Sequence, residues 1–541
     1  MYRLDGQLLP WSRCYTGWTV HHLVGFRSSE KNAWGEEMSL DAVRDPHEVR
    51  ASRKDWLGLV VLAFAVLLIA VDATVLDLAL PFISEDLAPS GTQLLWIIDV
   101  YSFVLAGLLV TMGTLGDRIG RRKLLLIGAA GFGLASLIAA WSGSAEMLIA
   151  ARVLQGVSGA TLMPATLGLI RTMFVNPRQR TTAIGVWGAM AGGGAAAGPL
   201  VGGWLLEHYW WGSVFLINIP VMVGLLILGP LVIPESKDPS PGRFDLASAG
   251  LSMLAMVPMV YAVKETAVHG PSWTLTMIGV VGAAAGWAFV RRQRQLDDPM
   301  IDLSLFARPA FSTAVVTNLL SIFALAGVLF FGSQYLQLVL GYSPLDAGLL
   351  MLPGTLVSAV ASVAAAWLVR RWAPGRVLSV GLAVAALGAA ALITLGTDTG
   401  PEAFVVGFIL AGAGVGVALT LTSDLVVSAV EPERAGAASA VSETAYELGV
   451  ALGVAVLGSV VLAIFRRGLD VSALEPDQAH IAQGTLGGAV EVSKSMPADQ
   501  GAVFVDAAQS AFVDGMHIAA GATAIILFAT ALLAARMLRQ R

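Results

Sequence analysis

The sequence predicts an all-α polytopic membrane protein that crosses the bilayer fourteen times. Composition, the length of the apolar stretches and the placement of Lys and Arg predict this class. Of 541 residues, 56% are hydrophobic and 13% are charged, and the mean hydropathy is +0.74. A water-soluble chain has about 25% charged residues, and single apolar cores stop growing at about 250–300 residues. The composition therefore excludes the soluble protein classes.

Fourteen apolar stretches have the length of a transmembrane helix. A hydrocarbon core about 30 Å thick requires roughly 20 apolar residues per helix. The stretches lie near 57–80, 94–113, 124–142, 147–170, 182–206, 214–234, 246–264, 273–290, 310–333, 346–368, 377–396, 402–425, 437–464 and 516–536. Gly, Ala and Ser occur throughout them, and such small residues let helices approach closely within a bilayer.

The positions of Lys and Arg predict the orientation of this bundle. If the connectors are numbered from the amino end, the even-numbered ones carry 17 Lys and Arg and the odd-numbered ones carry four. Short loops rich in these residues stay in the cytoplasm. Both termini are therefore expected on the cytoplasmic side.

Two basic connectors occupy equivalent places in a weak internal repeat. Residues 113–123 follow the second helix of the first six, and residues 370–376 follow the second helix of the last six. The repeat predicts two six-helix halves with two helices inserted between them, a plan in which transporters bind substrate between the halves. The predicted domains are a cytoplasmic N-terminal tail over 1–55, an N-terminal half over 56–236, a linker with two inserted helices over 237–300, and a C-terminal half over 301–541 that includes a long outer loop over 466–515.

Three segments lie outside the predicted bundle. The tail lacks the uninterrupted apolar stretch of a cleaved signal, and Met1 and Met38 both stay open as the start. The Pro-rich stretch 237–245 predicts a cytoplasmic linker. Within the outer loop, 501–514 predicts either a short amphipathic helix or a solvated linker. The single cysteine, Cys14, excludes internal disulfides and cysteine-based metal sites.

The connector after the second helix combines glycines, an acid and basic residues. Its candidate functional residues are Gly113, Asp117, Arg118, Gly120 and Arg121. The glycines permit a tight turn, Asp117 can cap the next helix, and the arginines can pair with carboxylates on neighbouring helix ends. The alternative is that the basic residues only anchor the loop in the cytoplasm.

Two further helices carry unusual residues. Arg152 lies within the fourth helix, where a charge costs at least about 2.5 kcal/mol, so we expect a polar interior and a partner for it. The alternative is that its side chain extends to the membrane surface. The fifth helix contains six glycines over 192–203, with Gly198 before Pro199, and such a helix packs tightly and bends.

Carboxylates within the predicted spans are functional candidates because they are costly there. They are Asp72, Asp99, Glu443 and Glu447. At about 1.5 Å per residue, Asp72 lies roughly 22 Å above the inner end of its helix, and Asp99 lies roughly 8 Å below the outer end of the next. Both estimates give one level in the outer half of the bilayer. The two glutamates are four residues apart and share a helix face. Asp424, near the end of the twelfth helix, is expected to be solvated.

These motifs resemble those of the major facilitator superfamily. Further matching segments are Asp72–Pro81, Trp96–Ser102, Trp211–Pro220 and Ser442–Gly449. The resemblance covers about residues 55–465, and the chain looks most like the fourteen-helix drug:proton antiporters, in particular the quaternary-ammonium (Qac-type) multidrug efflux pumps. It implies the major facilitator fold, a bacterial inner (cytoplasmic) membrane location, a proton gradient as energy source with no cofactor, and a monomer.

The resemblance also implies roles for individual residues. Asp117 and the arginines of its connector would form a gate latch between the halves. Arg152 would take part in proton coupling, with Asp72 as the main coupling acid. The pair Gly198 and Pro199 would mark a proton-driven exporter as opposed to an importer.

The residue types indicate how such a site would work. A carboxyl group in a poorly hydrated place holds a proton more readily than it does in water, so protons and cationic drugs would compete for it. The predicted substrate contacts are Asp99, Glu443, Glu447, Trp96 and Tyr101, the two aromatic rings as cation–π faces. Two alternatives stay open, namely that Asp72 or Asp99 is only the structural partner of Arg152 and that Glu447 only packs between helices.

The sequence therefore predicts a proton-coupled antiporter that exports lipophilic, mainly cationic drugs by alternating access. An exporter dedicated to one antibiotic or metabolite is the nearest alternative. A membrane enzyme is disfavoured because nucleophile, metal and cofactor motifs are missing from the sequence. A sensor would need a folded output domain, for which the polar tail is too short. The expected partners are cationic small molecules, protons and the bilayer, with no nucleic acid.

Overall fold

The structure is a computed structural model, and all regular secondary structure in the residues that it describes is helical. These are residues 50–87, 89, 91–237, 245–270, 272–296 and 299–538. The side chains of Asp99, Pro199 and a few other helical residues lie outside the description. So do most of the predicted tail, over 1–49, and the centre of the linker, over 238–244.

The helices fall into three successive sets along the chain. The N-terminal group comprises α1 (Arg53–Leu87), α2 (Gly91–Ile119), α3 (Arg121–Ala140), α4 (Ala145–Met173), α5 (Pro177–His208), the single turn α6 (Ser213–Leu216) and α7 (Asn218–Val232). A hairpin follows, formed by α8 (Leu246–His269) and α9 (Trp273–Gln293). The C-terminal group comprises α10 (Pro309–Gln334), α11 (Pro344–Leu368), α12 (Pro374–Ala391), α13 (Glu402–Ser428), α14 (Ala435–Leu452), α15 (Gly458–Gly468), α16 (Pro476–Gly484), α17 (Leu486–Ser493) and α18 (Ala498–Met537).

Polar caps explain where several helices begin. Ser144 accepts a hydrogen bond from the backbone of Met147 at the start of α4, and Ser272 caps α9 in the same way. Asn176 caps α5 directly before Pro177, whose fixed φ suits the first helical position. Such side chains satisfy N–H groups that a helix end leaves without a partner.

The span count confirms a polytopic membrane protein. Over the described ranges, twelve helices are long and apolar enough to cross a bilayer, or thirteen if α5, which bends by 42° between Pro177–Ala195 and Leu200–His208, is one span. The predicted span 437–464 corresponds to α14, a π-helical turn over Gly453–Leu457, and α15, which continue one another. Two carboxylates lower the apolar content of that segment, and the count of fourteen stays a prediction.

Separate apolar cores hold each group together, and α5 lies between the groups. Phe132 and Leu167 belong to the core of the N-terminal group, whereas Phe408 belongs to a core of the C-terminal group. The glycines of α5 pack against α1 and, through Gly185, against Ser362 of α11. Because these residues lack side chains, α5 contacts both neighbours closely.

The predicted outer loop is largely helical. It contains α16, α17 and the first half of α18, which runs for 40 residues without interruption. The helix predicted over 501–514 therefore exists, but it is continuous with the last span. Ala508, Phe512 and Met516 are buried in the core of the C-terminal group. The alternative of a solvated linker is thus wrong for this segment.

Candidate functional site

A polar cluster encloses the Asp72 carboxylate inside the N-terminal group. Arg152 Nη1 donates to Asp72 Oδ2 at 3.0 Å, and Asn218 Nδ2 donates to Asp72 Oδ1 at 2.7 Å. Gln155 Nε2 lies 3.5 Å from the same Oδ1. Ser136 Oγ accepts from both amides at 3.0 Å. Asp72 is 1% exposed and Arg152 2% exposed, so the carboxylate faces neither lipid nor an open chamber in this conformation.

The ring of Tyr101 covers the Arg152 guanidinium. Arg152 Cζ lies 4.5 Å from the ring centroid, and Arg152 Nε donates to the carbonyl oxygen of Ile97 at 3.3 Å. Arg152 therefore points into the protein, and the alternative that it extends to the membrane surface is wrong. The contact also places Asp72 beside the turn of α2 that holds Asp99, in agreement with the equal depths predicted for these acids; the Asp99 side chain lies outside the described residues.

The second predicted aromatic contact, Trp96, lies on another face of α2. It is 43% exposed and packs edge-on against Phe103 at 6.4 Å. Phe103 in turn packs against Tyr261 of α8 at 5.9 Å. Five positions along a helix correspond to about 140° of rotation. Trp96 and Tyr101 therefore do not form one surface.

Two glutamates form an acidic face on α14. Glu443 is 3% exposed, and no other described residue forms a hydrogen bond or an ion pair with its carboxylate. Gly436 and Ala440, which lie two turns and one turn before Glu443, contact Gly113 of α2. Positions 436, 440, 443 and 447 share one helix face. Glu443 and Glu447, called the acidic face below, therefore lie on the side of α14 that packs against the N-terminal group.

Asp117 of α2 binds the first turn of α14. Its Oδ1 accepts from the Gly436 backbone N–H at 3.1 Å, and its Oδ2 accepts from the Ala437 N–H at 3.0 Å. Arg121 forms an ion pair with the same carboxylate, with Nη2 2.7 Å from Asp117 Oδ1. The prediction that Asp117 caps the next helix is wrong, because α3 begins after Gly120 without a side-chain cap. A helix N-terminus with free N–H groups attracts a carboxylate, and here that terminus belongs to the other group.

Arg121 joins the ends of several helices. Its side chain is fully buried, and Nη1 donates to Thr172 Oγ1 at 3.1 Å and to Ser236 Oγ at 2.9 Å. Gly120, directly before it, has φ +110°, a conformation that favours glycine. A Cβ atom at this position would also lie 2.7 Å from the Glu235 carboxylate. The tight turn predicted for this connector is therefore present.

A second polar bridge joins α5 to α13. Arg180 Nε lies 2.8 Å from Asp424 Oδ1, and Thr181 Oγ1 donates to Asp424 Oδ2 at 2.6 Å. The expectation that Asp424 is solvated is wrong, since its side chain is 17% exposed and bonded. We call the end of the bundle that carries Asp117, Arg121, Arg180 and Asp424 the latch face. All hydrogen bonds between the two groups in which both partners are described lie at this face.

The remaining candidate residues from the second connector and the fifth helix occupy distinct places. At Gly113 a Cβ atom would lie 2.7 Å from the Gly436 carbonyl oxygen, so glycine permits the contact between α2 and α14. Gly198 packs against Thr74 of α1, near the bend of α5, and the Pro199 side chain lies outside the described residues. Arg118 lines a cavity of about 670 Å³ at the latch face.

The arrangement has two chemical parts. At the latch face, charge-assisted hydrogen bonds close the seam between the groups, and each contributes about 1.5–3 kcal/mol. Farther along α2 and α14 lie two acid sites. In one, an arginine and two amides bind the Asp72 carboxylate; in the other, the Glu443 carboxylate has no basic partner among the described residues. Asn218, Ser136 and Arg180 were not singled out from the sequence. An asparagine two residues before Pro220, at a helix start, was the available signal for the first.

Comparison with known proteins agrees with this architecture. Residues 62–454 match the family described as Major Facilitator Superfamily. The multidrug efflux pump LfrA of Mycolicibacterium smegmatis is 47% identical over 90% of this chain and 97% of its own length. The methyl viologen resistance protein SmvA of Salmonella typhimurium is 38% identical over 85% of this chain and 93% of its own length. A crystal structure of the human organic anion transporter MFSD10 (TETRAN) shares the fold with a TM-score of 0.58 at 17% identity, over 89% of this chain and 99% of that one.

Proposed function

This chain belongs to the major facilitator superfamily, whose members are transporters and not enzymes, and we propose that it is a proton-coupled antiporter that exports lipophilic cations. The names of its relatives, a multidrug efflux pump and a methyl viologen resistance protein, support drug export. The source of energy in this proposal is a proton gradient. No cofactor takes part.

One observation carries the proposal, namely the buried carboxylate of Glu443, which has no hydrogen-bonding or charged partner among the described residues. An ionised carboxylate in an apolar bundle is costly unless a positive charge neutralises it. A proton or a cationic drug can each supply that charge, and the two exclude each other. Glu447, four residues away on the same face, extends the binding surface. Cargo and proton thus compete for the acidic face, and this competition is the basis of antiport.

Alternating access would proceed by opening the latch face. The Lys and Arg of the even-numbered connectors support a cytoplasmic position for this face. In the proposed cycle, the conformation described here is therefore the one closed toward the cytoplasm. Opening breaks the bonds of Asp117 to α14 and of Arg180 to Asp424. In the proposed cycle, cytoplasmic cargo then reaches the acidic face and displaces the proton.

Asp72 and Arg152 act as the coupling pair in this proposal. With both nearly inaccessible to solvent, Asp72 exchanges a proton only in conformations that open its cluster. Protonation removes the negative charge that holds Arg152, and the change reaches α2 through the bond to Ile97. The pair thus links the proton to the position of the helices around it.

The test is dye transport in inverted membrane vesicles with an imposed proton gradient. Ethidium, a flat monovalent cation, should accumulate in vesicles that contain the protein. Glu443→Gln should lower this uptake at least tenfold and should affect neutral drugs less. Glu491→Gln, which alters an exposed glutamate paired with Lys494, is the matched control and should leave uptake unchanged.

Three outcomes would contradict the proposal. Uptake in the Glu443→Gln variant equal to that of the wild type would remove the acidic face from cargo binding. An equal loss for cationic and neutral compounds would indicate a structural role. Transport of a single compound from a panel that includes methyl viologen would favour a dedicated exporter.

A further inference from the structure

Tyr101 lies between the Asp72–Arg152 pair and the acidic face. It is 4% exposed, its ring covers Arg152 at 4.5 Å, and its hydroxyl has no hydrogen-bond partner among the described residues. The ring is therefore already occupied by a cation of the protein itself. This placement argues against Tyr101 as the cation–π contact for cargo that the sequence predicts.

Two glycines of α4 fix the ring in this place. A Cβ atom at Gly159 would lie 3.3 Å from the Tyr101 hydroxyl oxygen and 3.5 Å from ring atom Cε2. At Gly156 a Cβ atom would lie 2.8 Å from the Tyr101 carbonyl oxygen. The helix motif that contains Arg152 thus also forms the slot for Tyr101, so ring and guanidinium are positioned together.

Charged groups surround the hydroxyl from three helices. Asp72 of α1, Arg152 of α4 and Glu447 of α14 are close enough for their charges to act on it. Glu443, one turn before Glu447, faces the same seam, and the Asp99 side chain on α2 lies outside the described residues. The hydroxyl therefore lies near charged side chains of both sets of helices, Asp72 and Arg152 from the N-terminal one and Glu447 from the C-terminal one.

An unpaired hydroxyl at a buried position requires an explanation. Its desolvation is unfavourable, and phenylalanine would fill the same slot without that cost. The ring has a separate use, since an arginine that loses its counter-ion is still attracted to an aromatic face in a dry site. The ring and the hydroxyl of Tyr101 therefore act at different steps of a transport cycle.

We propose that Tyr101 is a positioning residue that couples the Asp72–Arg152 pair to the acidic face. Its ring holds Arg152 in place while Asp72 is protonated. Its hydroxyl donates a hydrogen bond to Glu447 when the ends of α2 and α14 remote from the latch face approach each other. This role rests on the proposed function. It explains how a change of charge at Asp72, in the N-terminal helices, affects the acidic face in the C-terminal helices.

Two variants separate the ring from the hydroxyl. Tyr101→Phe keeps the ring and removes only a group without a partner here, so it should fold as well as the wild type. It should lower steady-state ethidium accumulation in energised vesicles about tenfold, the effect of one hydrogen bond to a charged group. Its dissociation constant for ethidium, measured without a gradient, should change less than about twofold. Tyr261→Phe on α8 removes a comparable hydroxyl and should behave as the wild type.

Tyr101→Leu removes the ring as well. It should also shift the pH at which ethidium binding releases protons from the purified protein, because Arg152 loses the aromatic ring that covers it. Tyr101→Phe should leave that pH profile unchanged, a distinction that a merely structural role does not produce.

Several results would overturn the role of Tyr101. These are wild-type accumulation by Tyr101→Phe, identical pH profiles for Tyr101→Leu and Tyr101→Phe, or a loss of ethidium affinity as large as the loss of accumulation. In each case Asp72→Asn would still abolish uptake, and Glu443→Gln would still lower it at least tenfold. Undiminished uptake in those two variants would instead contradict the proposed function.

Discussion

Replacing Asp72 by asparagine tests whether its bond to Arg152 contributes as much to the stability of the protein as its burial implies. The two side chains are 0% and 3% exposed and 3.0 Å apart. Removing one partner of a buried pair costs about 3–5 kcal/mol, because the other charge stays buried without compensation. The Tyr101 ring covers Arg152 before and after the substitution, so its contact does not reduce this difference. We therefore expect Asp72→Asn to destabilise the protein by roughly 3–5 kcal/mol.

The double variant Asp72→Asn/Arg152→Gln supplies the control. It removes both charges and keeps side chains that can form hydrogen bonds with Gln155 and Asn218. Neutral replacements of a whole buried pair are often tolerated. The double variant should therefore regain most of the stability that the single variant loses.

Two measurements decide the case. Thermal unfolding of the purified protein in detergent reports stability, and ethidium uptake by inverted vesicles reports transport. A double variant that is stable but inactive supports the coupling role of Asp72. Recovery of both stability and transport would leave the pair a purely structural one, and an Asp72→Asn variant as stable as the wild type would refute the electrostatic reasoning.

Three further predictions concern the latch face and the linker. Gly113→Leu should lower ethidium uptake at least tenfold, because the added side chain separates α2 from α14 at the latch face. Arg180→Asp and Asp424→Arg should each lower uptake in the same assay, whereas the double charge reversal should restore at least half of it. Hydrogen bonds from Arg292 hold the pKa of Asp245 well below its usual range, so Asp245 contributes stability that is complete above its unfolded value of about 3.9. The difference in thermal stability between the wild type and Asp245→Asn should thus be constant from about pH 5 to 8 and should shrink only in stronger acid.

Much of the fold follows from the sequence because membrane helices obey a local rule. Each must be apolar over the thickness of the bilayer, and a charge within one needs a partner. This rule located the spans and predicted that Arg152 faces a polar interior. It could not identify Asn218 as a hydrogen-bond partner of Asp72, because 146 residues separate the two in the chain.

The errors at the latch face share one physical cause. Asp117 and Asp424 lie near helix ends, where local rules favour a cap or solvation. In the structure their partners come from the other group: Gly436 lies 319 residues from Asp117, and Arg180 lies 244 residues from Asp424. Such bonds depend on how two sets of helices pack, and no short stretch of sequence contains that information.

The position of α14 connects the latch to the acidic face. Asp117 holds the first turn of this helix, and Glu447 follows Gly436 by eleven residues, about 16 Å along the axis. From Ala435 to Leu452 the helix is continuous, so it moves as a rigid rod over that distance. In the proposed cycle, breaking the bonds between Asp117 and the first turn of α14 therefore displaces the acidic face relative to α2. Conversely, a cation or proton that changes the charge of that face changes, under the same proposal, the balance between the closed and the open latch. One helix that is bound by Asp117 at its end and carries carboxylates at its middle would thus be sufficient to make opening depend on cargo.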